Sequence, residues 1–207
     1  MTTLNYDKIL SITVDREKIH YGILFGNEKI VFIKVGTAGN IRGNQDKYLR
    51  MAHRLREKIG ATVICASNGE LTGDRPLRAD KFLIRNVITD LGFEACEMYF
   101  VGTSDGGEHS LKLALQFPET AAFLGLNASW SNMEEFLDGI QRLPEAKKTF
   151  VYGAKDSDFA DIAPRLQSLI DDNLALVVLE GVDHEFSSKV DLFVTLIDLL
   201  FDHNKSI

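Results

Sequence analysis

"YFVGTSDGGEHSLKLALQFP", residues Tyr99 to Pro118, carries an apolar run into Gly102-Thr103-Ser104-Asp105-Gly106 and then takes up a helical pattern. A strand that stops and a helix that starts within five residues force a tight turn, and Ser104 stands at its apex. Two readings fit these five residues alone. Gly-x-Ser-x-Gly is the pattern of an elbow that exposes a nucleophilic serine, and it is also an ordinary turn of small residues. With 16 glycines in 207 residues the pattern is a weak signal by itself, so the flanking sequence has to decide.

On the amino-terminal side, "KILSITVD" and "KIHYGILFG" alternate in polarity around Asp15-Arg16-Glu17 and read as an antiparallel hairpin. "KIVFIKVG" is a nearly continuous apolar run, as expected of a strand buried on both faces. Strands and helices then alternate. Tyr48, Met51, Ala52, Leu55 and Ile59 repeat at helical spacing before the strand "ATVICAS". Phe82, Leu83, Val87 and Leu91 form the next stripe, closed by Gly92 as a C-cap. After "EMYFVG" comes a helix whose apolar part, Leu111 to Phe117, stops at Pro118. "AAFLGLNAS", a short Met133–Ile140 helix, "KTFVYGAKD", a helix marked by Ile162, Leu166 and Leu169, "LALVVLEG" and a Val190–Phe201 helix complete the chain. Eight strands result, the later ones joined by helical crossovers. This pattern predicts one mostly parallel sheet, headed by an antiparallel hairpin and covered by helices on both faces. No linker, repeat or low-complexity tract interrupts it, so a single domain over residues 1–207 is expected.

Composition removes several classes of function. The formal charge is −7 and no long basic run occurs, which argues against nucleic acid as a partner because phosphate neutralisation needs clustered Lys and Arg. The amino terminus lacks the charged and apolar regions of a signal peptide, and runs such as "ALVVL" are too short to span a bilayer. Cys65 and Cys96 fit no metal spacing and read as reduced thiols, so a cytoplasmic location is the default. Nothing in the sequence indicates an oligomeric state.

In sheets of this kind ligands sit beyond the carboxyl ends of the strands, and that rule tests Ser104 independently. Asp156 and Asp158 follow "KTFVY", and His184 follows "LALVVLE" in "GVDHEF". Ser104, Asp156 and His184 therefore present a hydroxyl, a carboxylate and an imidazole at one edge of the sheet. A serine hydroxyl needs a nearby base to take its proton, and the base needs a carboxylate to fix its tautomer. Asp156 is preferred to Asp158 as that acid because it lies closer to the strand end. Gly102 and Gly106 allow the sharp, closely packed turn.

These three segments, "VGTSDGG", "YGAKD" and "GVDHEF", make the chain resemble the α/β-hydrolase family over nearly its whole length. The resemblance implies the α/β-hydrolase fold and a serine hydrolase acting on an ester or related acyl bond of a small molecule, without metal or organic cofactor. It implies Ser104 as nucleophile, His184 as base and Asp156 as acid, with the backbone N–H groups of Thr37 and Asp105 as an oxyanion hole. Val35-Gly36 stands where the family often has His-Gly. Asp105 puts a carboxylate beside the nucleophile, where it either points away and favours the helix start or repels anionic substrates. The segment between the sixth and seventh strands is too short for a cap domain, so the site is expected to be open and walled by loops such as "SNGELTGDRP".

Other readings are weaker. Gly36, Gly39 and Gly43 miss the dinucleotide-binding spacing, and no His-Glu-x-x-His supports a zinc centre. His20, His53, His109 and His203 fall in the hairpin, on the first helix, inside the helix after the elbow and near the carboxyl terminus. The rival from another class is a hydrolase-like scaffold that binds without turnover.

Overall fold

The strand in the middle of the sheet explains the rest of the architecture. β3 (Asn27–Lys34) and β5 (Glu97–Thr103) run side by side in parallel, and their side chains alternate between two separate cores. Val31, Ile33, Tyr99 and Val101 enter one core, whereas Ile30, Phe32, Met98 and Phe100 enter the other. Strands with both faces covered must be apolar at nearly every position, which is why "KIVFI" lacks the two-residue alternation. In the computed structural model, which describes residues 4–69 and 73–201, these strands belong to an eight-stranded sheet. β1 (Lys8–Val14), β2 (Glu17–Leu24), β4 (Ala61–Ala66), β6 (Thr120–Leu126), β7 (Lys147–Gly153) and β8 (Leu174–Leu179) complete it. The order is β1-β2-β4-β3-β5-β6-β7-β8. β1 pairs antiparallel with β2, and β2 antiparallel with β4; the remaining pairs are parallel.

Helices cover both faces. α1 (Lys47–Ile59) and α6 (Val190–Thr195) close the first core, and α2 (Asp74–Asp90), α3 (Gly106–Ala114), α4 (Met133–Gln141) and α5 (Phe159–Gln167) close the second. Between β6 and β7 the chain holds α4 and no other helix or strand.

Four helices differ from the sequence reading. α3 ends at Ala114, before Phe117. α2 starts at Asp74, eight positions before Phe82, because Pro76 falls in its first turn, where no backbone N–H is needed. Its buried stripe runs through Leu83, Ile84, Val87 and Ile88, so Leu83 and Val87 face the core as the spacing predicts, whereas Phe82 is 62% exposed and faces solvent. α5 ends at Gln167, before Leu169. The terminal helix is two pieces, α6 and a tighter 3₁₀ segment over Leu196–Leu200. Gly92, by contrast, takes a left-handed φ of 70° just past α2, as its role in ending the helix requires.

Candidate functional site

β5 delivers the chain to Ser104, which has φ 51° in the left-handed region. That conformation costs a non-glycine residue about 1–3 kcal/mol and persists only where neighbours hold it. Here three backbone hydrogen bonds do so. The Ser104 N–H donates to the Leu126 carbonyl (3.2 Å), and the Ser104 carbonyl accepts from Gly107 (2.8 Å) and Ser129 (3.0 Å). The flanking glycines serve close packing rather than the turn angle. A Cβ on Gly102 would lie 2.4 Å from the Gly107 Cα, and one on Gly106 would lie 2.5 Å from the carbonyl oxygens of Lys34 and Val35. The glycines thus let α3 start against β3 and β5, and Ser104 carries the strained dihedral.

The three strand ends meet as the spacing predicts. His184 Nε2 lies 2.9 Å from Ser104 Oγ, and His184 Nδ1 lies 2.8 Å from Asp156 Oδ2. An ionised carboxylate only accepts, so Nδ1 carries the proton and Nε2 is left to accept from the serine hydroxyl. Asp156 is buried. Its second oxygen accepts the backbone N–H of Asp158 at 2.9 Å, so the two aspartates of this loop have different positions: Asp156 faces the imidazole and Asp158 begins α5. The hydrogen bond to Asp156 is the main reason the His184 pKa rises above the ordinary histidine value, against partial burial, which lowers it.

Asp105 and Thr37 are joined by their side chains. The Thr37 hydroxyl hydrogen-bonds Asp105 Oδ2, and the Ser129 hydroxyl donates to Asp105 Oδ1 at 2.6 Å. Asp105 precedes the first residue of α3, yet its carboxylate makes no capping bond. The carboxylate instead ties the loop after β3 to the loop after β6 across the elbow. Gly36 packs so closely on this turn that a Cβ would meet the Ser104 Cβ at 2.9 Å.

Asn127 escaped the sequence reading. At φ 43°, directly after β6, its side-chain amide donates to the carbonyls of Asp183 (3.1 Å) and His184 (2.8 Å) and its oxygen accepts from the Gly153 N–H (2.8 Å). It therefore holds the histidine loop against the ends of β6 and β7. Its signal, an asparagine at a strand end in "GLNAS", is readable only once the strand order is known.

A cavity of about 310 Å³ opens beside the serine, with Ser104, His184, Gly36, Thr37, Lys47 and Tyr48 among its walls. A second, of about 670 Å³, lies on the other side of Thr37 and includes Asp105, His109, Trp130, Asn68 and Gly73. The middle of the loop expected to wall the site, Glu70 to Thr72, lies outside the described residues, as does His203. His20 is exposed on β2, and His53 Nε2 lies 2.9 Å from the Asn5 carbonyl. Both cysteines are free thiols, and no described helix is long and apolar enough to cross a membrane. Asp156, Asp158 and His184 have ligand atoms within 4.8 Å of one another. The Nδ1 and Nε2 of His184 already have protein partners, so a metal there would have to break the hydrogen-bonded chain.

No family model matches the sequence, and no curated protein does. Solved structures do match. An α/β serine hydrolase homologue from Coxiella burnetii aligns with a TM-score of 0.69 over 95% of this chain and 98% of its own, at 16% identity. An α/β serine hydrolase without a lid from Xanthomonas campestris aligns over 100% of both chains at 0.66 and 16% identity. A dienelactone hydrolase from Anabaena variabilis aligns over 97% and 99% at 0.67 and 17% identity. At these identities the likeness is one of architecture, and the chain has the α/β-hydrolase fold.

Proposed function

We propose that this chain is a serine hydrolase that cleaves an ester or related acyl bond of a small molecule. The observation that carries the proposal is the unbroken chain Ser104–His184–Asp156, with contacts of 2.9 and 2.8 Å, assembled from the ends of three strands. In this reading Ser104 Oγ attacks the carbonyl carbon while His184 Nε2 takes its proton. Asp156 holds the imidazole in the required tautomer and stabilises the imidazolium. The backbone N–H groups of Thr37 and Asp105 receive the developing oxyanion; the hydroxyl–carboxylate bond between their side chains supports this by fixing the two residues relative to each other. When the tetrahedral intermediate collapses, the alcohol leaves with the proton from Nε2. Water then attacks the acyl-enzyme, giving its proton to Nε2, and Ser104 recovers that proton as the acid departs. No step requires a metal or organic cofactor.

The intact Ser104–His184–Asp156 chain favours this reading over a scaffold of the same fold that only binds. The test is a panel of aryl esters of increasing acyl length, offered to the wild type and to Ser104→Ala. Turnover in the wild type and its loss in the variant are expected, whereas equal rates would refute the assignment. The short β6–β7 connection also supports an uncapped site in a single-domain enzyme. Rates should rise smoothly through the critical micelle concentration of longer esters; a sharp jump would indicate a cover over the serine.

A further inference from the structure

One wall of the serine cavity has a charge that the proposed chemistry does not use. Among the described residues lining the 310 Å³ cavity, Lys47 is the one lysine or arginine and Glu185 the one carboxylate. The Lys47 side chain is 9% exposed. Its ammonium has three N–H donors, yet it makes one long hydrogen bond, 3.4 Å to the Glu185 carbonyl. Its ion-pair partner, the Glu185 carboxylate, is 3.9 Å away on a side chain 74% exposed, so water screens and competes for that contact. The rings of Phe193 and Tyr48 lie 4.7 and 5.3 Å from Nζ and hold the cation from the apolar side. Burial pushes the Lys47 pKa down, and Glu185 and Asp183 push it back up. An ammonium this far buried, with one long hydrogen bond and a distant, exposed ion-pair partner, gains from a better-placed acceptor in the cavity.

Asp105 is absent from the walls of this cavity. Its carboxylate is engaged by Thr37 and Ser129 and lines the other cavity. The first cavity also offers the polar residues Asn40, Asn44 and Thr103.

We infer that Lys47 is a specificity-determining residue which binds an anionic group, such as a carboxylate, carried by the substrate away from the scissile bond. The inference rests on the hydrolase reading above and narrows it to acidic esters. The substrate anion would displace the solvent-exposed Glu185 side chain and complete the ammonium's hydrogen bonds. The competing role for Lys47 is a tether: through the Glu185 carbonyl it would only position the loop that carries His184.

The two roles separate in substrate preference. Two ester pairs are compared, each an anionic ester and a neutral one of the same shape. In the first the charge is on the acyl side (mono-para-nitrophenyl glutarate and the methyl-branched hydrocarbon analogue). In the second it is on the alcohol side (para-carboxyphenyl and para-isopropylphenyl butyrate). For each pair the ratio of kcat/KM values, anionic over neutral, is measured in the wild type, Lys47→Met and Lys47→Arg. In one of the pairs the ratio should fall about ten- to a hundredfold in Lys47→Met, the range of a hydrogen bond to a charged group. The loss should appear mainly in KM, and Lys47→Arg should keep most of the preference. A ratio unchanged in both pairs, with all rates falling together, would overturn the inference in favour of the tether. Should the wild type hydrolyse no ester, the hydrolase reading fails separately. Calorimetric binding of glutarate that is lost in Lys47→Met would then still support the anion site, and no binding to the wild type would overturn it.

Discussion

His184 and His109 each hold an aspartate at nearly the same distance, 2.8 Å to Asp156 in one pair and 2.7 Å to Asp80 in the other. Their surroundings differ. His184 is at the cavity mouth with a side chain 31% exposed, and its second nitrogen faces the Ser104 hydroxyl. His109 lies inside α3, and its aspartate is fully enclosed, also accepting from Lys34 Nζ at 2.9 Å and Tyr21 Oη at 2.6 Å. The pKa directions are opposite. The bond to Asp156 raises His184, whereas burial, aided by the Lys34 charge, outweighs the bond to Asp80 and lowers His109. A histidine–aspartate pair is thus not a base by virtue of its geometry alone. In the proposed mechanism it acts as one because a donor hydroxyl faces its second nitrogen; the His109 pair instead sits against a buried lysine.

Substituting the two aspartates should separate these roles most sharply. Asp156→Asn should keep the fold and lower kcat/KM by up to ~10⁴-fold, because an amide can favour the wrong imidazole tautomer. Asp158→Asn should cost far less, since the hydrogen bonds of His184 go to Asp156 and Ser104 and the Asp158 backbone N–H is retained. A larger loss at Asp158 would shift the acid along the loop.

Asp80→Asn should do the reverse. Removing one partner of a buried ion pair leaves Lys34 uncompensated, at a cost of about 3–5 kcal/mol. Denaturant unfolding should register that loss while turnover per folded molecule stays near the wild type. A comparable collapse of kcat would mean that the second pair belongs to the chemistry.

Asn127→Ala leaves the Asp183 and His184 carbonyls and the Gly153 N–H without their side-chain partner, and a buried group left unpaired costs about 1–3 kcal/mol. Both stability and kcat should fall, with the carboxylate pairing of His184 kept. Unchanged activity would show that the histidine loop needs no anchor.

The smallest effect is also the most specific. His184 has a raised folded pKa, so its contribution to stability is fully present below the ordinary histidine value of 6.5 and is lost as pH rises through the folded pKa. His109 has a lowered one, so its contribution is present above 6.5 and is lost as pH falls through the folded value. Imidazole titrations followed by NMR should show one ring on each side of 6.5, and Asp156→Asn should lower only the His184 value. Two coincident titrations would erase the distinction between the pairs.

Much of the arrangement was legible beforehand because it rests on local signals. An apolar run with no alternation identifies a doubly covered strand, and the residues that follow such strands must share one edge of the sheet. Ser104, Asp156 and His184 are therefore grouped by the sequence pattern alone. Features set by contact between distant segments were not legible. Asp80 looks like one more polar residue of a helical segment until α2 docks its inward face over Lys34 and Tyr21. Phe82 looks like core until that same docking turns it to solvent. The bridging role of Asp105 depends on Thr37 and Ser129 arriving from two other strand ends, and the setting of Lys47 depends on Glu185 and Phe193 reaching it from far along the chain.

The central claim is that Ser104, alone among the serines, is activated as a nucleophile. The direct measurement is reaction with a fluorophosphonate probe, followed by intact mass and peptide mapping, in the wild type and Ser104→Ala. The account predicts one probe per wild-type chain, located on the peptide containing Ser104, and none on the variant. Probe that still attaches to Ser104→Ala, or a wild type that never reacts, would contradict it.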